Sequence, residues 1–413
     1  MLKTLVLFVV ILEGIYSFIL NVVKYRSANN PTPQSVADVY DAETYGRWKK
    51  YSAAHCCLAM ASSVASCLIS IILLITNVYA SFAALFGSGV FWQLFSVLLL
   101  ETIVGFFVET IQSYISTMVI EEKYGFNRST IKTFLTDRIR SLIIGLILSL
   151  GLVGGLAAIH SWLGDWMILA FAVAVFAVVL AISFLYPVFS RLGNKFVPLE
   201  EGELKERLTA LLEKHGYSVK AIEVMDASRR TTKLNAYFTG FGKMKTIVLF
   251  DNLVNTMPAD EICAVFAHEL GHGLNKDVLK GQVLSFFNML ILSTVAWLVV
   301  RTPEIYTEFG FFEVNYGFSY ILIGVFLSLI NPLISIVFNW RSRSAEYRAD
   351  RQAVQEGYGE AMITALKRLA KDNFAHLAPS RLNVVLEYSH PPLSRRIEEV
   401  EKEIARQNTE KKS

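Results

Sequence analysis

Seven stretches of the chain approach or exceed the roughly 18 to 20 apolar residues that carry an α-helix across the hydrocarbon of a bilayer. They cover about 4–22, 57–77, 90–112, 141–161, 166–189, 283–300 and 318–338. Composition agrees: 53% of the 413 residues are hydrophobic and 18% are charged, where a soluble domain carries about a quarter charged residues. A cytosolic enzyme, a disordered tail and a collagen-like fibre are excluded. The first stretch reads as a retained helix, not a signal peptide, because its apolar run after Lys3 is long and no small-x-small cleavage site precedes Asn21. The expected architecture is a mainly α integral membrane protein.

Lys and Arg are retained on the cytoplasmic side of a membrane, so their distribution over the loops sets the orientation. Loop one holds Lys24, Arg26, Arg47, Lys49 and Lys50, and loop three holds Lys123, Arg128, Lys132, Arg138 and Arg140. The segment from Arg191 to Lys280 and the tail after Arg341 are also basic. Loops two (78–89) and four (162–165) have no basic residue, and loop six (301–317) sets Arg301 against Glu304, Glu308 and Glu313. An outer N-terminus and an inner C-terminus satisfy this alternation and put the soluble mass on one cytoplasmic face. The net charge of +3 gives no footing for a nucleic-acid partner. Cys56, Cys57, Cys67 and Cys263 have neither disulfide nor zinc spacing and read as packing residues. Glu101 and Glu109, eight apart on one face of the third span, either bond neighbouring helices or line a polar chamber.

Between spans five and six, 200–215 reads as an amphipathic helix with Leu204, Leu208, Leu211 and Leu212 inward, stopped by Gly216. Val219–Met225 and Thr246–Phe250 read as strands, and 235–242 between them has the Gly and aromatic content of a strand edge with a turn. From Pro258 the pattern is helical and carries His268-Glu269-Leu270-Gly271-His272. Histidines four apart project from one face, so both imidazoles can reach one tetrahedral zinc while the glutamate stands beside the open position. A zinc-bound water is acidified, and Glu269 takes its proton as it attacks a carbonyl. Small Gly271 permits close backbone approach.

The third ligand lies elsewhere. A metzincin extension would need His where Val278 stands, and 278–303 contains no Glu. The next cytoplasmic acid on a helix is Glu346, in Arg341-Ser-Arg-Ser-Ala-Glu346-Tyr-Arg-Ala-Asp350. Its alternative is a helix-surface carboxylate paired with Arg343 or Arg348. Asp350, one turn on, can accept the second N–H of a ligand histidine, and Asp277 competes for that outer role. His390, held before two prolines, reads as an oxyanion donor with Arg396 supporting it or the zinc-bound carboxylate, against a plain structural role. His55, His160, His215 and His376 have no acid or metal partner in the sequence and read as structural or interfacial.

These strings together resemble the type I CAAX prenyl endopeptidase family, integral-membrane HExxH zinc metalloproteases. The resemblance covers nearly the whole chain: Glu121-Glu122-Lys-Tyr-Gly-Phe-Asn127-Arg128, Pro198-Leu-Glu-Glu-Gly-Glu203, Asn235-Ala-Tyr-Phe, HELGH, the Glu346–Asp350 string and His390-Pro-Pro-Leu with Arg396. It implies seven helices around a large water-filled chamber, capped by a cytoplasmic α+β, gluzincin-like metallopeptidase domain. It also implies one zinc per chain on His268, His272 and Glu346, Glu269 as base, and His390, Asn235 and Arg396 against substrate or transition state. The implied substrate is a membrane-associated peptide cut near a prenylated C-terminal cysteine; membrane-protein quality control without a prenyl group is the alternative. The organisation expected is 1–190 for five spans with cytoplasmic loops, 191–282 and 341–413 for the two parts of the protease domain, and 283–340 for the last two spans. Gly273-Leu-Asn-Lys-Asp after the motif departs from eukaryotic members, and the Thr-Glu-Lys-Lys-Ser end is not a clear retrieval signal. Both departures point to a prokaryotic cytoplasmic membrane, with the endoplasmic reticulum as alternative. An intact Glu269 speaks against an inactive scaffold. Substrate is expected to pair as an added strand along 235–242, with Asn235 bonding its backbone and Gly240 allowing close approach.

Overall fold

A computed structural model of the protein describes residues 1–87, 89–191, 193–239 and 244–412. Gly240, and with it 241–242 of the expected strand edge and turn, lies outside the described residues. Among the described residues six stretches are long and apolar enough to cross a membrane: Leu2–Ser27, Ala42–Ile75, Val90–Tyr124, Ile131–Leu185, Asp277–Val300 and Tyr316–Gln355. The first two are helices α1 (Leu2–Ser27) and α2 (Ala42–Ile75). The third is α3 (Val90–Tyr114), which runs through a π-helical turn at Ile115–Glu121 and ends at Gly125, whose φ of +82° stops the helix. The fourth stretch is two helices, α4 (Ile131–Leu163) and α5 (Met167–Ser190), reversed at Gly164 with φ +51°.

The soluble segment opens on β1 (Phe196–Pro198), then α6 (Glu203–Lys214), β2 (Ser218–Met225), β3 (Ala236–Thr239) and β4 (Met244–Phe250). The strands form one sheet in the order β1-β2-β4-β3, parallel between β2 and β4 and antiparallel elsewhere. β3 therefore stands at an edge, as the sequence suggests, whereas β1 is too short to leave a periodic signal. Leu208, Leu211 and Leu212 are buried and Leu204 packs partly buried beside them. Helix α7 (Ala259–Leu274) lies against this sheet and buries Ile262, Cys263, Phe266 and Leu270 on it.

Two long helices return to the bundle, α8 (Asp277–Val300) and α9 (Tyr316–Gln355), and α9 continues unbroken past Pro332 to the acids that follow the last apolar run. Helices α10 (Gly359–Asp372) and α11 (Leu393–Glu410) close the soluble part. Loop one enters that core: Val36, Tyr40 and Trp48 pack with Ala264, Ala267, Ala353 and Ile397. The Trp48 indole N–H donates to the Phe374 carbonyl at 3.1 Å, and Tyr40 donates to that of Ala370 at 2.9 Å. Loop three docks beside it through the Asn127–Thr231 bridge.

At the opposite end of the bundle, Tyr79, Phe309, Phe311 and Phe318 form a common cluster with residues of α1. Lys3 bonds Asn77 there at 2.6 Å. Loops one and three thus lie at one end of the bundle, and loops two and six at the other. Tyr79 donates to Glu101 at 2.6 Å, and Arg138 pairs with Glu109 at 3.2 Å. Both acids also line a cavity of about 220 Å³, next to one of about 380 Å³ that shares Glu101 and Tyr320. Interhelical bonding and cavity lining, posed as alternatives for these acids, are both met. The four cysteines are unpaired.

Candidate active site

The HELGH motif sits in the second half of α7, where that helix crosses α9. Gly271 makes the crossing tight: a Cβ there would lie 2.9 Å from the Ala349 Cα and 2.9 Å from the Gln352 Cβ. Ala349 stands between Glu346 and Asp350, so the contact sets the acids of α9 opposite the histidines of α7.

The two imidazoles are arranged alike. His268 donates through Nδ1 to Asp350 Oδ1 at 2.9 Å, and His272 through Nδ1 to Asp277 Oδ2 at 3.1 Å. Each ring thereby turns Nε2 toward one carboxylate: His268 Nε2 is 3.5 Å from Glu346 Oε2, and His272 Nε2 is 3.3 Å from Glu346 Oε1. The two outer-shell candidates of the sequence are both used, one per histidine. Arg348 bonds Asp277 Oδ1 at 2.8 Å, and Arg341 bonds the Asp277 carbonyl at 2.6 Å. Arg396, largely but not fully buried, grips Asp350 through Nε at 2.9 Å and Nη2 at 2.6 Å and reaches Glu346 Oε2 at 3.3 Å through Nη1.

His268, His272 and Glu346 place their ligand atoms within 4.8 Å of one another, a group that could hold a metal ion. The donor chemistry fits zinc. Two donors each about 2.0–2.1 Å from a tetrahedral ion stand about 3.4 Å apart, close to the 3.3 and 3.5 Å found here. Glu346 Oε2 is also buried with the Arg396 ion pair but no hydrogen bond of its own among the described residues, a lone pair that metal ligation would satisfy. Burial opposes a charge on the His272 ring, yet the Glu346 and Asp277 carboxylates outweigh it and raise its pKa to about 9. Such a concentration of negative potential suits a cation.

Glu269 lines a small recess between α7 and the edge strand, shared with Ala236, Tyr237 and Phe266. His390 projects into the open side of the site with Nε2 3.4 Å from Glu346 Oε1, its side chain 63% exposed. Asn235 is exposed at the start of β3, where its carbonyl accepts from the Phe250 N–H at 3.1 Å. The sequence-level pairing of Glu346 with Arg343 or Arg348 does not occur. Arg343 instead donates to the carbonyls of Val384 and Tyr388, both at 2.7 Å, and so braces the segment that carries His390. Helical spacing shows that Arg343 lies one turn before Glu346, but not the direction it faces. Of the remaining histidines, His215 bonds Glu356 at 2.7 Å and His160 bonds Tyr316 at 2.8 Å, interfacial roles as expected.

Two family models match this chain: peptidase family M48 over 198–404, and the CAAX prenyl protease N-terminal region, five membrane helices, over 21–191. The CAAX prenyl protease 1 of Saccharomyces cerevisiae is 35% identical over 306 residues, 69% of this chain and 67% of that protein. The Arabidopsis thaliana homologue is 34% identical over 302 residues, 70% of this chain and 69% of its own length. The human homologue is 27% identical over 336 residues, 69% of each chain. The crystal structure of S. mikatae Ste24p superimposes with a TM-score of 0.90 at 27% identity, covering 97% of this chain and 99% of that one.

Proposed function

The chain belongs to peptidase family M48 and is a multi-pass membrane metalloendopeptidase, and from that membership we propose that it binds one zinc ion and cuts membrane-associated, C-terminally prenylated peptides. The observation that carries the reading is the pair of histidines of α7, each turned by its own carboxylate so that both free nitrogens meet Glu346. His268, His272 and Glu346 hold the metal; Asp350 and Asp277 fix the two tautomers. Bound there, zinc supplies a Lewis acid that brings the pKa of a water to about 7 and polarises a carbonyl. Every other step belongs to side chains. Glu269 accepts the proton of the attacking water and returns it to the departing amine. His390, on the open side, donates to the oxygen that gains charge as the tetrahedral centre forms, and Arg396 balances Glu346 and Asp350 behind it.

Peptide enters as an added strand on the outer edge of β3, which has β4 as its one strand neighbour among the described residues. Backbone pairing presents an amide to the site with little demand on side chains, as a protease of varied C-termini needs. Asn235, exposed at the start of that edge, bonds the incoming backbone. The membrane part is read as seven helices, α4 and α5 each spanning, around a polar chamber, with the soluble domain on the cytoplasmic side where the basic loops gather. The relatives described above are from yeast, a plant and human, and give the prokaryotic expectation no support. Incubating the purified zinc protein with matched farnesylated and unmodified peptides, and mapping products by mass, tests the proposal. Cleavage of the farnesylated peptide alone is expected; equal cleavage of both would move the reading to quality control, and none of either would refute it.

A further inference from the structure

The five residues before the edge strand, Thr231–Asn235, have no strand or helix of their own apart from one bridge, yet nearly every one is tied to a different neighbour. Thr231 bridges Asn127, and its carbonyl accepts from Asn252 at 2.7 Å. Asn373 holds both backbone groups of Leu234, at 3.1 and 3.3 Å. Between them Lys233 reaches back to the membrane part, where its ammonium lies 3.2 Å from Glu121 Oε1. Glu121 closes the π-helical turn of α3, the kind of irregular turn that recurs at functional sites. Its same oxygen accepts from Tyr51 at 2.7 Å, and His55 Nε2 stands 3.5 Å away, both on α2. The Lys233 ammonium also lies over the Phe126 ring at 5.2 Å.

We propose that the Glu121–Lys233 pair is a positioning clamp, through which membrane helices α2 and α3 set the place of the edge strand β3 over the catalytic base. The chain path gives the reason. Asn235 follows Lys233 by two residues with no strand or helix between them, and Asn373 holds the intervening Leu234 from the other side, so Lys233 and Asn373 together set where the edge begins. Glu121 is largely buried, its side chain 17% exposed, so its charge is weakly screened, and Lys233 is the one Lys or Arg paired with it among the described residues. The aromatic floor of Tyr51 and Phe126 then fixes the direction from which Lys233 approaches. Neither residue of the pair touches the reacting atoms: they act through the strand, and a shift of that strand by about 1 Å is enough to spoil alignment with the site. A substrate tethered to the bilayer is thus received at a depth fixed by the same helices that hold the bilayer.

This inference rests on the reading of β3 as the peptide-binding edge, and two readouts keep the two apart. Full-length protein in lipid nanodiscs is prepared as wild type, Glu121→Gln, Lys233→Met, Lys233→Arg and the swap Glu121→Lys with Lys233→Glu. Amide exchange over Ala236–Thr239, measured without substrate, is expected to rise about tenfold in Glu121→Gln and Lys233→Met, with exchange in α7, zinc content and thermal midpoint unchanged. With the farnesylated peptide, both variants raise KM about tenfold at a kcat within about threefold; Lys233→Arg stays near wild type and the swap recovers most of the loss. Unchanged exchange in Glu121→Gln and Lys233→Met overturns the clamp, as does a loss of kcat with zinc at normal KM, which marks a merely structural role. Faster exchange with an unchanged KM upholds the clamp and removes β3 as the substrate edge.

Discussion

Replacing Gly271 with alanine adds one methyl group at the crossing of α7 and α9, and the structure says what that methyl meets. It would lie 2.9 Å from the Ala349 Cα, where ordinary contact is 3.4–4 Å. A backbone atom cannot turn aside, so the helices must part by about half an ångström or more. Those helices carry the two halves of the proposed ligand set, and the separation is imposed on Nε2–carboxylate distances of 3.3 and 3.5 Å that suit a tetrahedral ion. It also stretches the 2.9 Å bond from His268 to Asp350. Overpacking of this kind costs about 1–3 kcal/mol, and loosened outer partners weaken metal affinity by about 10- to 100-fold. Helix propensity acts in the opposite sense, since alanine is favoured over glycine by about 0.5–1 kcal/mol inside a helix. The loss would therefore come from the contact. Competition with a graded series of chelators, read as zinc retained per chain, gives the affinity; Gly46→Ala in α2, where a Cβ meets nothing within 4 Å, is the control. A Gly271→Ala protein that holds zinc within about twofold of wild type would refute the argument that this crossing sets the ligand spacing.

Glu269→Gln keeps zinc while hydrolysis falls by at least about a hundredfold, the usual scale for a lost proton acceptor. Glu346→Ala loses zinc and activity together, and normal metal content by elemental analysis would remove Glu346 from the donor set. His390→Ala lowers kcat about a hundredfold at near-normal KM, as expected when one preorganised oxyanion donor is removed; an unchanged kcat would return this histidine to a structural role. His376 is a separate pH sensor of stability. Burial, with Lys24 nearby, depresses its pKa from 6.5 to about 4. Its Nδ1 already accepts from the Ala378 N–H at 3.2 Å, leaving no room for a second ring proton. The unfolded chain binds that proton more readily, so the stabilisation is complete above about pH 6.5 and is lost as pH falls toward about 4, by at most about 3 kcal/mol. Thermal midpoints at pH 7 and pH 5 should converge in His376→Gln, and an undiminished gap between them would count against the histidine.

The part of the site carried by periodicity is legible in the amino-acid sequence. His268 and His272 declare themselves because one helix holds both, and Glu346 follows because the intervening apolar run has no Glu to offer. The outer partners are harder. Asp277 and Asp350 read as competitors, since a sequence places Asp277 just after His272 and Asp350 one turn after Glu346 but does not say which ring turns toward which acid; the crossing at Gly271 assigns one to each. Arg343 is a plausible partner for Glu346 by helical spacing, and Arg348, two residues on, only by nearness in the chain. They fail because α9 turns Glu346 inward, sending Arg348 to Asp277 and Arg343 to carbonyls more than 40 residues away. The entry of Tyr40 and Trp48 into the soluble core is invisible for a related reason: their partners lie more than 300 residues along the chain, where no local pattern reaches.

The connectivity joins the membrane helices to the chemistry. Helix α9 runs without a break from Tyr316 to Gln355, so Glu346 stands about 45 Å along the rod from its first residue at 1.5 Å per residue. Its neighbour α8 begins at Asp277, the acid that orients His272, and Arg341 and Arg348 of α9 tie that starting turn to the rod. All three carboxylates that meet the HELGH histidines, Glu346 and Asp350 of α9 and Asp277 of α8, therefore hang from helices long and apolar enough to cross a membrane, with no linker between. A soluble protease domain on a flexible tether would sample many heights above the bilayer, and each would add an ordering cost for a lipid-anchored peptide. Here the height is built into the helices, so the proposed substrate, confined to the membrane surface, would arrive with that cost reduced.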